Sequence, residues 1–139
     1  MKMKLEMKGI DAMQLRLAAF IPQMRRLIAD AMEAHAEVDV KEAKKRSPVY
    51  TGPPGPSKPI PGVLRDSIHA EEAVIRGSQI SVEIVAGGKA GAYAIPQHEN
   101  LTYRHTIGQA KYIESVILEG RASKARRIAT RIDISKLKL

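Results

Sequence analysis

The sequence predicts an α+β domain. A small antiparallel sheet of about four strands is packed by a long N-terminal helix and a C-terminal helix, with an extended proline-rich loop between. Three observations carry this. Apolar residues recur at spacings of three and four over 20–38; residues 80–85 alternate strictly; and a second helical stripe runs from Ile113 to Ile132. The 139 residues suit one domain, read as 1–120, with 121–139 as a basic helical extension and tail.

At the N-terminal end, Met3, Leu5 and Met7 alternate with Lys2, Lys4, Glu6 and Lys8, the pattern of a half-buried strand. Asp11 is a candidate cap for a short helix over 12–20. Pro22 suits the first turn of a long helix reaching Arg46. Phe20, Met24, Leu27, Ala31, Ala34 and Val38 would form its apolar stripe. Ser47-Pro48 stops it, because the residue before a proline avoids helical backbone.

Residues 48–61 hold six prolines and two glycines, so neither helix nor central strand can form there. The expectation is an extended arm that lies on a neighbouring subunit, with Pro53, Pro54 and Pro56 as contact candidates. Leu64–Ile68 reads as a helical turn or a strand start. Residues 68–76 and 79–86 form a hairpin around Gly77-Ser78, and 92–95 form a short strand that Pro96 confines to an edge. The last helix begins near Gly108-Gln109, with Gly120 marking a bend.

Composition excludes several classes. There is no cysteine, hence no disulfide and no thiolate metal site. No apolar run approaches the roughly 18 residues of a membrane span, so a soluble chain made in the cytoplasm is expected. The net charge is +8, and residues 120–139 carry seven basic side chains against the single acid Asp133. Such a tail suits a polyanion or an acidic protein surface, or simply a solvated helix face. Arg121, Lys124, Arg127 and Arg131 fall together on the polar side of the last helix. They offer phosphate contact without base readout, which makes a nucleic-acid-binding domain the alternative function.

The densest group of reactive side chains is Tyr93 to Glu114. His98-Glu99 and His105 do not have the HExxH spacing that sets two imidazoles on one helical face. A metal site formed by loops from His98, Glu99 and His105, with hydrolytic activity, is one reading; charge-assisted hydrogen bonds that order a loop or an interface are the other. No serine sits in a nucleophile elbow, and Gly88-Lys89-Ala90-Gly91 is too short for a phosphate loop. No catalytic residue, metal ligand or cofactor is assigned.

Four pieces then carry a resemblance: Ala43-Lys44-Lys45-Arg46-Ser47-Pro48-Val49-Tyr50-Thr51-Gly52, Gly62-Val63-Leu64-Arg65-Asp66-Ser67-Ile68, Tyr93-Ala94-Ile95-Pro96-Gln97-His98-Glu99, and Gly108-Gln109-Ala110-Lys111-Tyr112-Ile113-Glu114. Their order and spacing resemble the head–tail joining family of long-tailed bacteriophages, variously called neck, tail-completion or minor capsid proteins. The resemblance implies a structural virion protein and not an enzyme. It implies a ring, six- or twelve-fold, between a portal, adaptor or head-closure protein and a tail terminator or tail tube. Phage DNA would pass through the lumen. The expected location is the virion neck, after assembly in the host cytoplasm. On this reading Tyr93, His98, Glu99, His105, Lys111 and Tyr112 fix an assembly surface, and the basic helix faces the DNA channel or an acidic partner.

Overall fold

The computed structural model describes residues 1–6, 22–56, 58–77, 79–88, 91–100, 105, 107–132 and 135. Their order is β1 (Lys2–Glu6), α1 (Pro22–Arg46), α2 (Val63–Ser67), β2 (His69–Ala70), β3 (Val74–Arg76), β4 (Gln79–Val85), α3 (Gly91–Glu99), α4 (Glu114–Leu118) and α5 (Arg121–Ala129). The α+β class is as the sequence predicts. The short helix expected over 12–20, with Asp11 and Phe20, lies outside the described residues.

β4 is the central strand, and every pairing is antiparallel. β1 lies along one edge, from Lys2 opposite Val85 to Glu6 opposite Ser81; β2 and β3 share the other. Ala70 faces Ile84 and Val74 faces Ser81, so the β2–β3 side holds one residue more than β4 over this stretch. That is a bulge, and it divides the expected hairpin arm into two short strands. Alternation along β4 turns Ile80, Val82 and Ile84 into the core beneath α1.

α1 spans Pro22 to Arg46, as predicted. At 25 residues it is about 37 Å long. Its buried face overlaps the predicted stripe only in part: Ala31 is buried and Met24 packs against the core. Ile28, Met32, His35, Ala36, Asp39, Val40 and Ala43 are buried, whereas Ala34 is exposed and Val38 is 46% exposed. Choosing apolar residues alone misplaced the stripe, because the true one includes a histidine and an aspartate.

The buried carboxylate explains a second correction. Lys124 is not an exposed cation: it is buried, and its Nζ donates to Asp39 Oδ2 at 2.9 Å and to the Val116 carbonyl at 2.7 Å. A charge inside a core persists only with such partners. His35 Nε2 lies 3.7 Å from Asp39 Oδ1. Burial pushes the His35 imidazole below its ordinary pKa; Asp39 opposes that shift, and Lys124, Arg131 and Arg127 reinforce it.

The core has two lobes along α1. One gathers Ile28, Met32, Ile80, Val82 and Ile128; the other gathers Val40, Ala43, Leu64, Ile68, Ile84, Tyr112 and Ile113.

Two further expectations change. The predicted strand over 92–95 is the helix α3, with Pro96 inside it. Ala94 and His98, four apart, are both buried, and burying that one face holds the short helix despite the proline. The predicted single last helix is broken into α4 and α5. Glu119 is extended (φ −65°, ψ 131°) and Gly120 is left-handed (φ 64°), so the glycine is a break and not a bend. The break rotates Leu118 outward, to 51% exposed, and seats Ile128 in the core.

The Lys124–Asp39 pair is expected to behave as a buried ion pair in chemical denaturation. Lys124→Met alone strands the carboxylate and costs about 3–5 kcal/mol, while Lys124→Met with Asp39→Leu recovers most of that loss. Equal losses in the single and double variants would contradict the pairing.

Candidate functional site

The site is a junction at the C-terminal end of α1, built from segments far apart in sequence. Helix ends leave carbonyls without partners, and Pro48 prevents this helix from continuing. Arg46 O accepts the Gln109 N–H at 2.8 Å, and Ser47 O accepts from Arg65 Nη2 at 3.0 Å. Val49 N–H donates to Ile107 O at 3.3 Å, so the chain after α1 runs beside residues 107–109. Gly108 permits this approach. Its φ is +88°, and a Cβ there would lie 2.5 Å from the Ser47 carbonyl carbon and oxygen.

A second layer joins α3 to the start of α4. Tyr112 is fully buried, donates its hydroxyl to Ala94 O at 3.2 Å, and meets the His98 ring edge-on with centroids 4.9 Å apart. His98 is also fully buried. Its Nε2 accepts the Glu114 N–H at 3.3 Å, so Nδ1 carries the proton and donates to Glu99 Oε1 at 2.6 Å.

Lys111 has a left-handed backbone, φ 54°, unusual for a residue with a side chain. That turn sends its N–H to His98 O at 2.7 Å and its ammonium between Glu99 Oε2 and Glu114 Oε2, the latter at 2.9 Å. The Lys111 hydrogen bond, and then that from His98, hold the Glu99 carboxyl below its ordinary pKa. Glu99 and Glu114 in turn raise that of Lys111.

This arrangement is suited to locking and poorly suited to reaction. A general base must reach a substrate proton, yet both nitrogens of His98 are engaged and the ring is enclosed. Donor atoms of His98, Glu99 and Glu114 lie within 4.8 Å of one another, the arithmetic of a metal site. However, the Lys111 ammonium sits between the two carboxylates, and Nε2 is turned to a backbone amide. Glu114, not His105, completes this group. His105 instead lines a cavity of about 250 Å³ beneath the proline-rich loop, with Tyr50, Ile60 and Gln97.

The other predicted residues separate clearly. Pro53, Pro54 and Pro56 are exposed on a loop without helix or strand. That loop folds back on itself: Tyr50 donates its hydroxyl to Pro53 O at 2.9 Å, and both loop ends line the same cavity. Arg121, Arg127 and Arg131 are exposed, whereas Lys124 is not. The side chain of Tyr93 lies outside the described residues. Sequence reasoning missed Arg46, Arg65, Gln109 and Glu114. Arg46 ties α1 to the α4–α5 break through Glu119, while bonding Glu42 at 3.0 Å and Ser115 Oγ at 3.3 Å. Gln109 acts through its backbone N–H, for which a side-chain pattern holds no signal, and Glu114 through both its N–H and its carboxylate.

Gly108→Ala is expected to lower stability by at least about 2 kcal/mol, since left-handed backbone alone costs roughly 1–2 kcal/mol and the Ser47 clash adds to it; thermal melts measure this directly. Glu99 supplies a pH test. Its pKa is depressed on folding, so its contribution is complete above the ordinary value of 4.5 and fades as pH falls through the folded value. Glu99→Gln should therefore melt below the parent at neutral pH, with the gap closing in acid. A gap independent of pH would exclude the ion pair as its cause.

Comparison with known proteins finds no matching family model, no matching curated protein and no matching solved structure, so a functional reading rests on the junction's own chemistry.

Proposed function

We propose that this chain is a structural subunit of a bacteriophage neck, one copy in a ring that joins the head portal to the tail. The observation that carries this reading is convergence. The four sequence pieces that resemble the head–tail joining family are scattered over 43–114 in the chain. They meet at one place: Arg46 and Ser47 from the first, Arg65 from the second, Ala94 and His98 from the third, Gln109 to Glu114 from the fourth.

The chemistry of that place supports a structural role. Its one histidine is enclosed, its acids are compensated by Lys111, and its glycine serves a backbone approach. On this reading the junction fixes the angle between α1, α3 and α4 and so holds the outer surfaces in register. Those surfaces meet neighbouring copies, a portal or head-closure protein, and a tail terminator or tail tube. The exposed prolines 53, 54 and 56 lie on a neighbour, and Arg121, Arg127 and Arg131 face DNA or an acidic partner.

The test is genetic and biochemical. Tailed particles should contain the protein by mass spectrometry, and its deletion should yield separate filled heads and free tails by electron microscopy. Infectious particles at normal yield without it would overturn the proposal.

A further inference from the structure

The two flanks of α1 carry opposite charge in clefts of similar kind. Between the second half of α1 and α4–α5 lies a groove of about 570 Å³. Its acids are already matched: Asp39 by Lys124, Glu42 by Arg46 and Lys45, Glu119 by Arg46. Among the described residues, Lys41 and Arg127 line it with no carboxylate partner, and Val38, 46% exposed, offers apolar surface beside them.

The other flank is the reverse. Asp30, Glu33, Glu37, Glu71 and Glu72 line a cleft of about 360 Å³ between α1 and the β2–β3 bulge. Arg26 pairs with Asp30 and Glu33, and His69 sits 3.3 Å from Glu71. Glu37 and Glu72 have no cationic partner among the described residues. The Ala73 N–H, bonded to Glu33 Oε1 at 2.8 Å, holds the bulge against α1 beside this cleft. Each flank thus carries charge with no partner of opposite sign among the described residues.

We infer that the occupant of the basic groove is a second copy of this chain, presenting its acidic flank. Lys41 and Arg127 of one copy face Glu37 and Glu72 of the next. Glu37 and Lys41 leave α1 only about 40° apart, and from there the two clefts diverge, one toward Glu72 on the bulge and the other toward Arg127 on α5. A single contact therefore leaves one acidic and one basic flank open, and each added copy repeats it. Such a head-to-tail contact closes into a ring when its rotation permits. The inference deepens the ring reading above and rests on it for closure.

Charge reversal on each flank tests this in the full chain. The basic-flank variant is Lys41→Glu with Arg127→Glu, and the acidic-flank variant is Glu37→Lys with Glu72→Lys. All four positions are exposed, and circular dichroism checks that the variants fold. In sedimentation velocity the parent should form species larger than a dimer that dissociate between about 0.1 M and about 1 M salt, as the screening length shrinks from about 10 to about 3 Å. Each variant alone should associate more than about tenfold more weakly, since like charges then face each other. Their equimolar mixture should form a one-to-one dimer and nothing larger, because one intact flank remains on each. A chain with all four reversals should assemble again. If the parent assembles and both variants assemble equally well, this interface is overturned while the ring reading stands. A parent that stays monomeric at low salt overturns the inference, and the particle experiment then judges the ring reading separately.

Discussion

The end of α1 is the constraint on which the rest of the fold depends. A helix stopped by a proline inside a protein leaves carbonyls that burial makes costly. Here they are taken by a guanidinium from α2 and a backbone amide sixty-three residues downstream of Arg46. Meeting that need draws 107–109 against 46–49 so closely that only a glycine fits at 108. Once those residues are placed, Tyr112 and Ile113 fall into the core beneath α1, and His98 and Lys111 fasten α3 to the start of α4. The order of dependence runs from a backbone need to the geometry of a surface.

Much of this was legible in the sequence. Pro22 and Pro48 bracket α1, strict alternation marks β1 and β4, and Gly120 marks an interruption, because backbone rules act locally. What escaped has a common physical cause: a nonlocal partner outweighed a local preference. Tyr93 to Pro96 has the composition of a strand, but the burial of Ala94 and His98 together needs a helix. Asp39 and Lys124 look like surface charges until each is seen to be the other's partner, eighty-five positions along the chain. One signal was available: Asp39 stands on the same helical face as Met32, Ala36 and Ala43, and a carboxylate there calls for a cation from another element. In the candidate site, the histidine–carboxylate cluster was found by its density, while the part played by its second acid, Glu114, was hidden because it depends on a turn at Lys111.

Charge is handled differently inside and outside. In the interior Asp39 meets Lys124, and at the partly exposed junction Lys111 bridges two carboxylates. The exterior is unbalanced by region, acidic along one side of α1 and basic along the other and over α5. Internal pairs tie distant segments to one packing of the fold. External imbalance orients encounters and discriminates between partners. The proposed neck role draws on both.

The register of β1 against β4 also sets a timetable. Lys2 pairs with Val85, eighty-three residues away. At ordinary elongation rates of about 5–20 residues per second, the first strand waits roughly 4–17 s for its partner to be made. The cap of α1 waits for Gln109, and Asp39 waits for Lys124. Nascent chains therefore hold an unpaired strand until Val85 is made, an uncapped helix until Gln109 and a lone acid until Lys124. The acidic flank of α1 has all its residues once Glu72 is made, but the basic groove must await Arg127. On the proposed contact, a chain becomes able to receive a neighbour only as its own core closes.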